Sequence, residues 1–420
     1  MRRSRQSDPS PPHSHDATEL IVARMTARRA TRALGLVWLA LVACHKPSAS
    51  GSSAVADSLA LADSALVRCG GQSGDAQVDC YDGVLVPLVA SQGVRTAMGT
   101  LRVLGGRDAR VRVDGHVYAH AIGMAAGRGA DTRRAFTDCT EIFQSGCYHG
   151  VIQAYFERAR AVDAAGVNAL CGPYVADQWL RFQCVHGAGH GLTMFYAHDL
   201  PRALAACDLL GAAWDRESCY GGAFMENIVN ATTPHHAGHA LHPHASAAPF
   251  KALDPGDLQY PCSIVARRYL TACYNMQTSV MLYFTHGDMA ATARHCLDAP
   301  PGLEPVCFQG LGREVSAYSH QDHQEAIRMC GLARAQYQAW CHVGVVKNFI
   351  DLTARADDGI AYCRALTGST NRLKCYEAVG EEIATLHGDA RGREAACAEV
   401  APAYRGACRY GARLTARREG

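Results

Sequence analysis

The sequence predicts an all-α protein: a right-handed α-solenoid of about ten helix–turn–helix repeats of ~34 residues, each except one stapled by a disulfide. Three observations predict it. Cysteines fall in close pairs, the second member of each pair recurs at a near-constant step, and the residues that follow it repeat as well.

Composition sets the outer bounds. The chain has 420 residues, of which 48% are hydrophobic and 19% charged, which excludes a wholly disordered polymer. Lys+Arg total 41 against 39 Asp+Glu, a net charge of +2, so nothing in the charge argues for nucleic acid as a partner. The unusual residues are the 19 cysteines and 20 histidines.

The first element is an address. Residues 1–24 are polar and rich in Ser, Pro and Arg, and are expected to be a mis-called extension, with translation starting at Met25. Residues 25–44 carry a basic head (Arg28, Arg29, Arg32), a short apolar core at 33–43 and the tetrapeptide Leu41-Val42-Ala43-Cys44. The core suits a secretory signal and is too short to span a membrane. The tetrapeptide resembles a bacterial lipobox, which implies lipidation at Cys44 and anchoring in the cell envelope. His45 after it, where an Asp would retain the protein in the inner membrane, points to the outer membrane. Residues 45–60 read as a tether of small and polar residues, and 61–420 as the solenoid.

Beyond Cys44, eighteen cysteines form nine close pairs: Cys69/Cys80, Cys139/Cys147, Cys171/Cys184, Cys207/Cys219, Cys262/Cys273, Cys296/Cys307, Cys330/Cys341, Cys363/Cys375 and Cys397/Cys408. From Cys273 the second members step by 34, 34, 34 and 33 to Cys307, Cys341, Cys375 and Cys408. The step of 67 from Cys80 to Cys147 leaves room for a Cys-free unit centred near Asp114. The step of 54 from Cys219 to Cys273 is one period plus an insertion, at about 232–252. An aromatic often follows the second Cys, and a glycine often stands three after it, as at Gly83, Gly150, Gly187, Gly222, Gly310, Gly344 and Gly411. Within a unit, a short first helix ends near the first Cys and a longer second helix starts just before the second Cys. Val345, Phe349 and Leu352 then share one helical face. A glycine there is poor helix chemistry in isolation but lets neighbouring helices approach closely. Each pair reads as a disulfide between consecutive helices, contributing about 2–3 kcal/mol for an 11-residue loop. Zinc is excluded as the reason for the pairs, because the spacing is not that of zinc knuckles and export favours disulfides.

This build resembles the Sel1-like and tetratricopeptide α-solenoids, above all the cysteine-rich Sel1-type proteins of the bacterial envelope. RALAACDLLGAAWDRESCYGG at 202–222 comes nearest to that pattern. The Sel1 consensus itself is not matched, so the chain reads as a distinct family of the same architecture. The resemblance implies a scaffold that binds a protein or peptide partner on its concave face.

The histidines keep a register. Two residues after the second Cys, or after Asp114, stand His116, His149 and His186, and later Gly221, Asn275 and Gln309. Six residues after stand His120, Gln153, His190, Met225, Ser279, Arg313 and Lys347. Positions two and six are one turn apart on one helix face. His116/His120 and His186/His190 are each HxxxH, a spacing that brings two imidazoles to one ion. The expected metal set is His116, His120, His149, His186 and His190, with Zn, Cu or Fe as the metal. Packed helices lie roughly 8–10 Å apart, which sets units two and four about 16–20 Å apart. Four imidazoles from those two units then cannot meet at one ion without tight curling. Either His116, His120 and His149 or His149, His186 and His190 can. Glu226 in unit five is the candidate catalytic base. The same stripe can equally be a polar groove without metal, or plain surface.

The groove would continue through Gln153, Asn275, Gln309, Arg313 and Lys347 on the same stripe. Arg313, Glu314, Lys347, Glu381 and Glu382 are read first as helix–helix ion pairs, and Met276, Met281 and Met289 as core. His235, His236, His239, His242 and His244 crowd the insertion, a composition that binds Zn, Cu or Ni loosely and reads first as a solvated loop. There is no CxxCH haem site, no GxSxG elbow and no nucleotide-binding glycine loop after a strand. Two functions remain: a lipid-anchored envelope scaffold for a protein or peptide, with a His-based metal site in units two to four, or a metal-dependent hydrolase or oxidase using that site.

Overall fold

The computed structural model describes residues 50–129, 131–232 and 250–416. The proposed extension, signal peptide, Cys44 and the His-rich stretch 235–244 lie outside the described residues. Among the described residues the chain is entirely helical, with no strand and with twenty α-helices. The second helices of units one to ten are Asp75–Gln92, Gly115–Gly127, Gly146–Arg158, Gln178–Phe195, Ala213–Thr232, Leu270–Phe284, Glu304–Tyr318, Ala335–Thr353, Ser369–Leu386 and Arg405–Gly411. Each packs on the next in chain order. All eighteen cysteines among the described residues form the nine expected disulfides: Cys69–Cys80, Cys139–Cys147, Cys171–Cys184, Cys207–Cys219, Cys262–Cys273, Cys296–Cys307, Cys330–Cys341, Cys363–Cys375 and Cys397–Cys408. Each clips a first helix, or the turns that replace it, to the second.

Local chemistry explains the units. Six first helices start at an aspartate whose carboxylate accepts from the backbone N–H three residues on: Asp131, Asp163, Asp199, Asp288, Asp322 and Asp389. Such a cap is worth about 1 kcal/mol. The aromatic after the second Cys is part of the core. Tyr81, Tyr148, Tyr220, Tyr274, Phe308 and Tyr376 are all buried, each contributing about 2–3 kcal/mol. The Cys-free unit begins its second helix at Gly115, directly after Asp114 as the period requires. Phe143 lies against Gly105 and Gly115, where any Cβ would clash with its ring.

Three expectations need correction. The tether at 45–60 is helical in its described part, because Ser50–Cys69 forms one helix. Its Ala62 and Ala65 are buried, and Ser58 sits over Gly99 of the helix Val94–Arg107. Among the described residues unit six has no first α-helix: turns at 254–265 take its place, fixed by Gln277 donating to Leu258 O and Tyr260 O at 2.7 and 2.8 Å. The third correction concerns where the second helices begin. That of unit four does not start just before Cys184 but at Gln178, six residues ahead of it, so Cys184 is buried inside the helix. The start is set by a cap rather than by the disulfide: the Asp177 carboxylate accepts from the Leu180 N–H at 3.0 Å. The second helices of units five, eight and nine likewise begin six residues before Cys219, Cys341 and Cys375.

Five of the seven repeat glycines are close-approach positions to a neighbouring backbone; Gly83 meets nothing and Gly187 meets the Ile152 side chain at 3.2 Å. A Cβ on Gly150 would lie 2.2 Å from His120 O, on Gly222 2.0 Å from His186 O, on Gly344 1.9 Å from Gln309 O and on Gly411 2.0 Å from Glu377 O. A reciprocal set, not anticipated from the sequence, faces back: Gly123 and Cys147 O at 2.1 Å, Gly189 and Cys219 O at 2.1 Å, Gly312 and Cys341 O at 2.0 Å, Gly380 and Cys408 O at 2.1 Å. Units two and three, four and five, seven and eight, and nine and ten are thereby clasped in pairs. The solenoid also curls far enough for the second helix of unit nine to touch that of unit four, with Gly388 beside Ala176 O.

Candidate functional site

Curling turns the second-helix stripe inward around a cavity of about 610 Å³. Its lining contains the position-two residues His116, His149, His186, Gly221, Asn275 and Gln309, and the position-six residues Met225, Ser279, Arg313 and Lys347. Four of the five expected groove residues therefore face one cavity. The fifth, Gln153, does not: it is buried and donates from Nε2 to Glu226 Oε2 at 3.2 Å. The lining also includes Phe182, Glu217 and Thr271, which stand two before their Cys, Asp351, one turn beyond position six, and Glu382, the residue directly after position six. These lie outside the stripe expected from the sequence, although the −2 position is one turn from +2 and extends the same face. The early start of the helix that carries Cys184 is what brings Phe182 onto that wall.

The five histidines meet at one end. Ring centroids are 5.5 Å apart for His116/His120, 5.7 Å for His116/His149, 6.1 Å for His120/His149 and 5.9 Å for His120/His190. His149 lies 5.1 Å from His186 and 5.0 Å from His190, and His186 5.2 Å from His190. Units two and four thus bring imidazoles into contact, where a spacing of two ordinary helix diameters would separate them. The glycine clasp Gly123/Gly150 between units two and three contributes, together with the inward face of the curl: helices without side chains between them pack closer than the usual distance.

His116, His120 and His149 form a group able to hold a metal ion, with one ring nitrogen from each within 4.8 Å of the others. A tetrahedral zinc at about 2.1 Å would need nitrogens some 3.4 Å apart, so binding asks for closure by roughly an ångström. The alternative set with His186 and His190 does not meet that spacing. The donors are poised for ligation. His116 Nδ1 bonds Phe143 O at 3.0 Å, which fixes that nitrogen as the donor and leaves Nε2 with the lone pair. His149 is buried with neither ring nitrogen hydrogen-bonded. Burial holds every one of these imidazoles with a resolved shift in the neutral form: His116 is lowered to about 4, with the neighbouring His190 a further cause. His190 is lowered to about 3 by burial. His149 and His186 lie well below the usual range, through burial and then His190.

Glu226 is placed behind the imidazoles. It is buried, outside the cavity lining, and its Oε2 accepts from His190 Nδ1 at 2.8 Å. The candidate base therefore engages a histidine rather than a site where substrate could sit.

The opposite wall is ionic. Arg313 Nη2 bonds Glu314 at 2.6 Å and Ser279 Oγ at 2.8 Å. Lys347 Nζ bridges Glu381 at 2.5 Å and Glu382 at 3.7 Å. Lys347 with Glu381 and Glu382 is a helix–helix ion pair as expected, whereas Arg313–Glu314 lies within one helix; Arg313, Glu314, Lys347 and Glu382 also line the cavity. Burial, then the charge of Glu382, pushes the Asp351 carboxyl well up, and burial raises Glu382. Met276, Met281 and Met289 are core, with Met276 also at the cavity edge.

Fold and site together define an all-α, disulfide-stapled repeat protein with a three-histidine group, two of the three buried, at the end of a cavity lined by polar and apolar residues. Comparison of the chain with protein-family models, curated proteins and solved structures finds no match.

Proposed function

We propose that this is an exported metal-binding α-solenoid whose concave cavity receives a peptide end or another small ligand at the metal. The observation that carries the reading is His149: buried, bare at both nitrogens and within reach of His116 and His120. Leaving such groups unpaired costs about 1–3 kcal/mol each, and ligation removes the cost of the acceptor nitrogen. Zinc, copper and iron all suit imidazole donors. Nine disulfides favour an oxidising compartment, in line with a signal peptide at 25–44 and lipid anchoring at Cys44 in the cell envelope. A cavity of about 610 Å³ fits a few residues of peptide rather than a folded domain.

A second reading, a metal-dependent hydrolase or oxidase, is favoured by one observation. His116 and His149 line the cavity, so an ion there would keep an open side toward it, as catalytic sites do. In that reading the chain holds the ion through His116, His120 and His149, and the ion supplies the activation of water or oxygen.

The test is elemental analysis of untagged protein made in an oxidising compartment, beside His120→Ala and His149→Ala. The expected result is about one equivalent of a transition metal in wild type and little in either variant. Folded, fully disulfide-bonded protein that takes up no zinc, copper or iron on loading would overturn the proposal.

A further inference from the structure

The buried trio His190, Glu226 and Gln153 sits beside the three-histidine group and comes from three different units. His190 Nδ1 lies 2.8 Å from Glu226 Oε2. Gln153 Nε2 donates to the same oxygen at 3.2 Å. An oxygen that accepts from an amide N–H carries lone pairs, and an ionised carboxylate is an acceptor only. With Glu226 ionised, the proton of the His190–Glu226 bond belongs to Nδ1. That leaves the lone pair on Nε2, and Nε2 has no hydrogen-bond partner although the residue is 2% exposed. The ring lies 5.0 Å from His149 and 5.9 Å from His120, outside the 4.8 Å group of His116, His120 and His149, so ligation requires it to close on the ion further than those three. A carboxylate that fixes one ring nitrogen as donor so that the other can ligate is the usual outer support of a metal-bound histidine.

We propose that His190 is the fourth ligand of the centre formed by His116, His120 and His149, and that Glu226 is its positioning residue, holding the ring in the ligating tautomer. This rests on the metal-binding reading above. The arrangement needs three helices in fixed order. Gly150 sets unit three against unit two, carrying His149 and Gln153. Gly189 and Gly222 set unit five against unit four, so that Glu226, one turn beyond Gly222, meets His190, one residue beyond Gly189. Such a centre would tie units two, three and four together, and an incoming molecule would add as a fifth ligand from the cavity side, where His116 and His149 stand.

The experiment uses the full protein in two measurements. First, zinc affinity is measured by chelator competition for wild type, His190→Ala, Glu226→Gln and Gln153→Ala, and the absorption spectrum of the cobalt-loaded proteins is recorded. His190→Ala and Glu226→Gln should each weaken zinc binding about 10–100-fold and change the cobalt spectrum, with Gln153→Ala between them and wild type. Second, ¹⁵N-histidine spectra of unmutated protein, with and without zinc, read the tautomer directly, so a variant that fails to fold does not decide the matter. His190 should be protonated at Nδ1 in both states, with its Nε2 resonance moving on zinc addition. Wild-type zinc affinity and cobalt spectrum in both variants, or an Nε2-protonated His190 that zinc leaves unmoved, would overturn this assignment while leaving the three-histidine site intact. Wild type that binds neither metal would instead defeat the parent reading.

Discussion

Replacing His149 by leucine should make the metal-free protein more stable and the metal-loaded protein less so. A neutral imidazole carries one donor and one acceptor, and in His149 both are buried without a hydrogen bond. Removing an unsatisfied buried donor recovers about 1–3 kcal/mol, and leucine of similar size keeps the contacts with the surrounding rings. The urea midpoint of the variant in chelator should therefore rise, and the melting temperature should gain about 2–4 °C per kcal/mol. Zinc at a hundred times its dissociation constant should stabilise wild type by about 2.7 kcal/mol and leave the variant untouched. The stability order then inverts between chelator and zinc. His342→Leu is the contrast. His342 Nδ1 is 2.7 Å from the hydroxyl of buried Tyr362, so its loss strands that hydroxyl and should destabilise by about 1–3 kcal/mol with or without metal. A His149→Leu protein less stable than wild type in chelator, or still stabilised by zinc, would refute the reasoning.

Acid should destabilise the metal-free protein. Burial holds His190 at about 3 and His116 at about 4 when folded, against about 6.5 in the unfolded chain. Their contribution is complete above pH 6.5 and declines as pH falls toward the folded values, because the unfolded chain then binds protons that the folded one refuses. At pH 5 the loss is about 2 kcal/mol for His190 alone. Asp351 and Glu382, raised by burial, act in the opposite sense. Urea midpoints in chelator at pH 7.5 and 5 measure the sum, and His149→Leu should shrink the acid loss; identical midpoints in wild type would contradict neutral buried imidazoles. Gly222→Ala puts a methyl 2.0 Å from His186 O and should cost about 1–3 kcal/mol or more, with loss of metal binding in the same titration. Gly83→Ala meets nothing within 4 Å and should be neutral or stabilising by about 0.5–1 kcal/mol; equal effects of the two substitutions would refute the close-approach account.

The repeat was legible because it is local. A step of 34 between Cys273, Cys307 and Cys341, a Cys pair inside each unit, and an aromatic and a glycine at fixed offsets are all properties of one helix pair and its neighbour. The same register pointed Asn275, Gln309, Arg313 and Lys347 inward, because helical periodicity alone decides which residues share a face. The exceptions were local too. The helix from Ser50 was hidden by small polar residues that suit a tether or a helix equally, and the turns at 254–265 carry no period. The extra turns ahead of Cys184 and Cys219 were hidden because the cysteine marks the staple, not the end of the helix.

The site was settled in three dimensions. Counting helix diameters kept His120 and His190 well apart, yet their rings stand 5.9 Å from each other. Gly123, Gly150, Gly189 and Gly222 were visible as letters, but only their carbonyl partners on the next helix show how closely the backbones pack. Likewise Glu226 could be named as a useful carboxylate, while its bond to His190 depends on where one turn of unit five falls against unit four. A 34-residue period fixes what each unit contains. The curvature that gathers five imidazoles from three units is the sum of small rotations between units, and those are set by interhelical contacts that no single repeat contains.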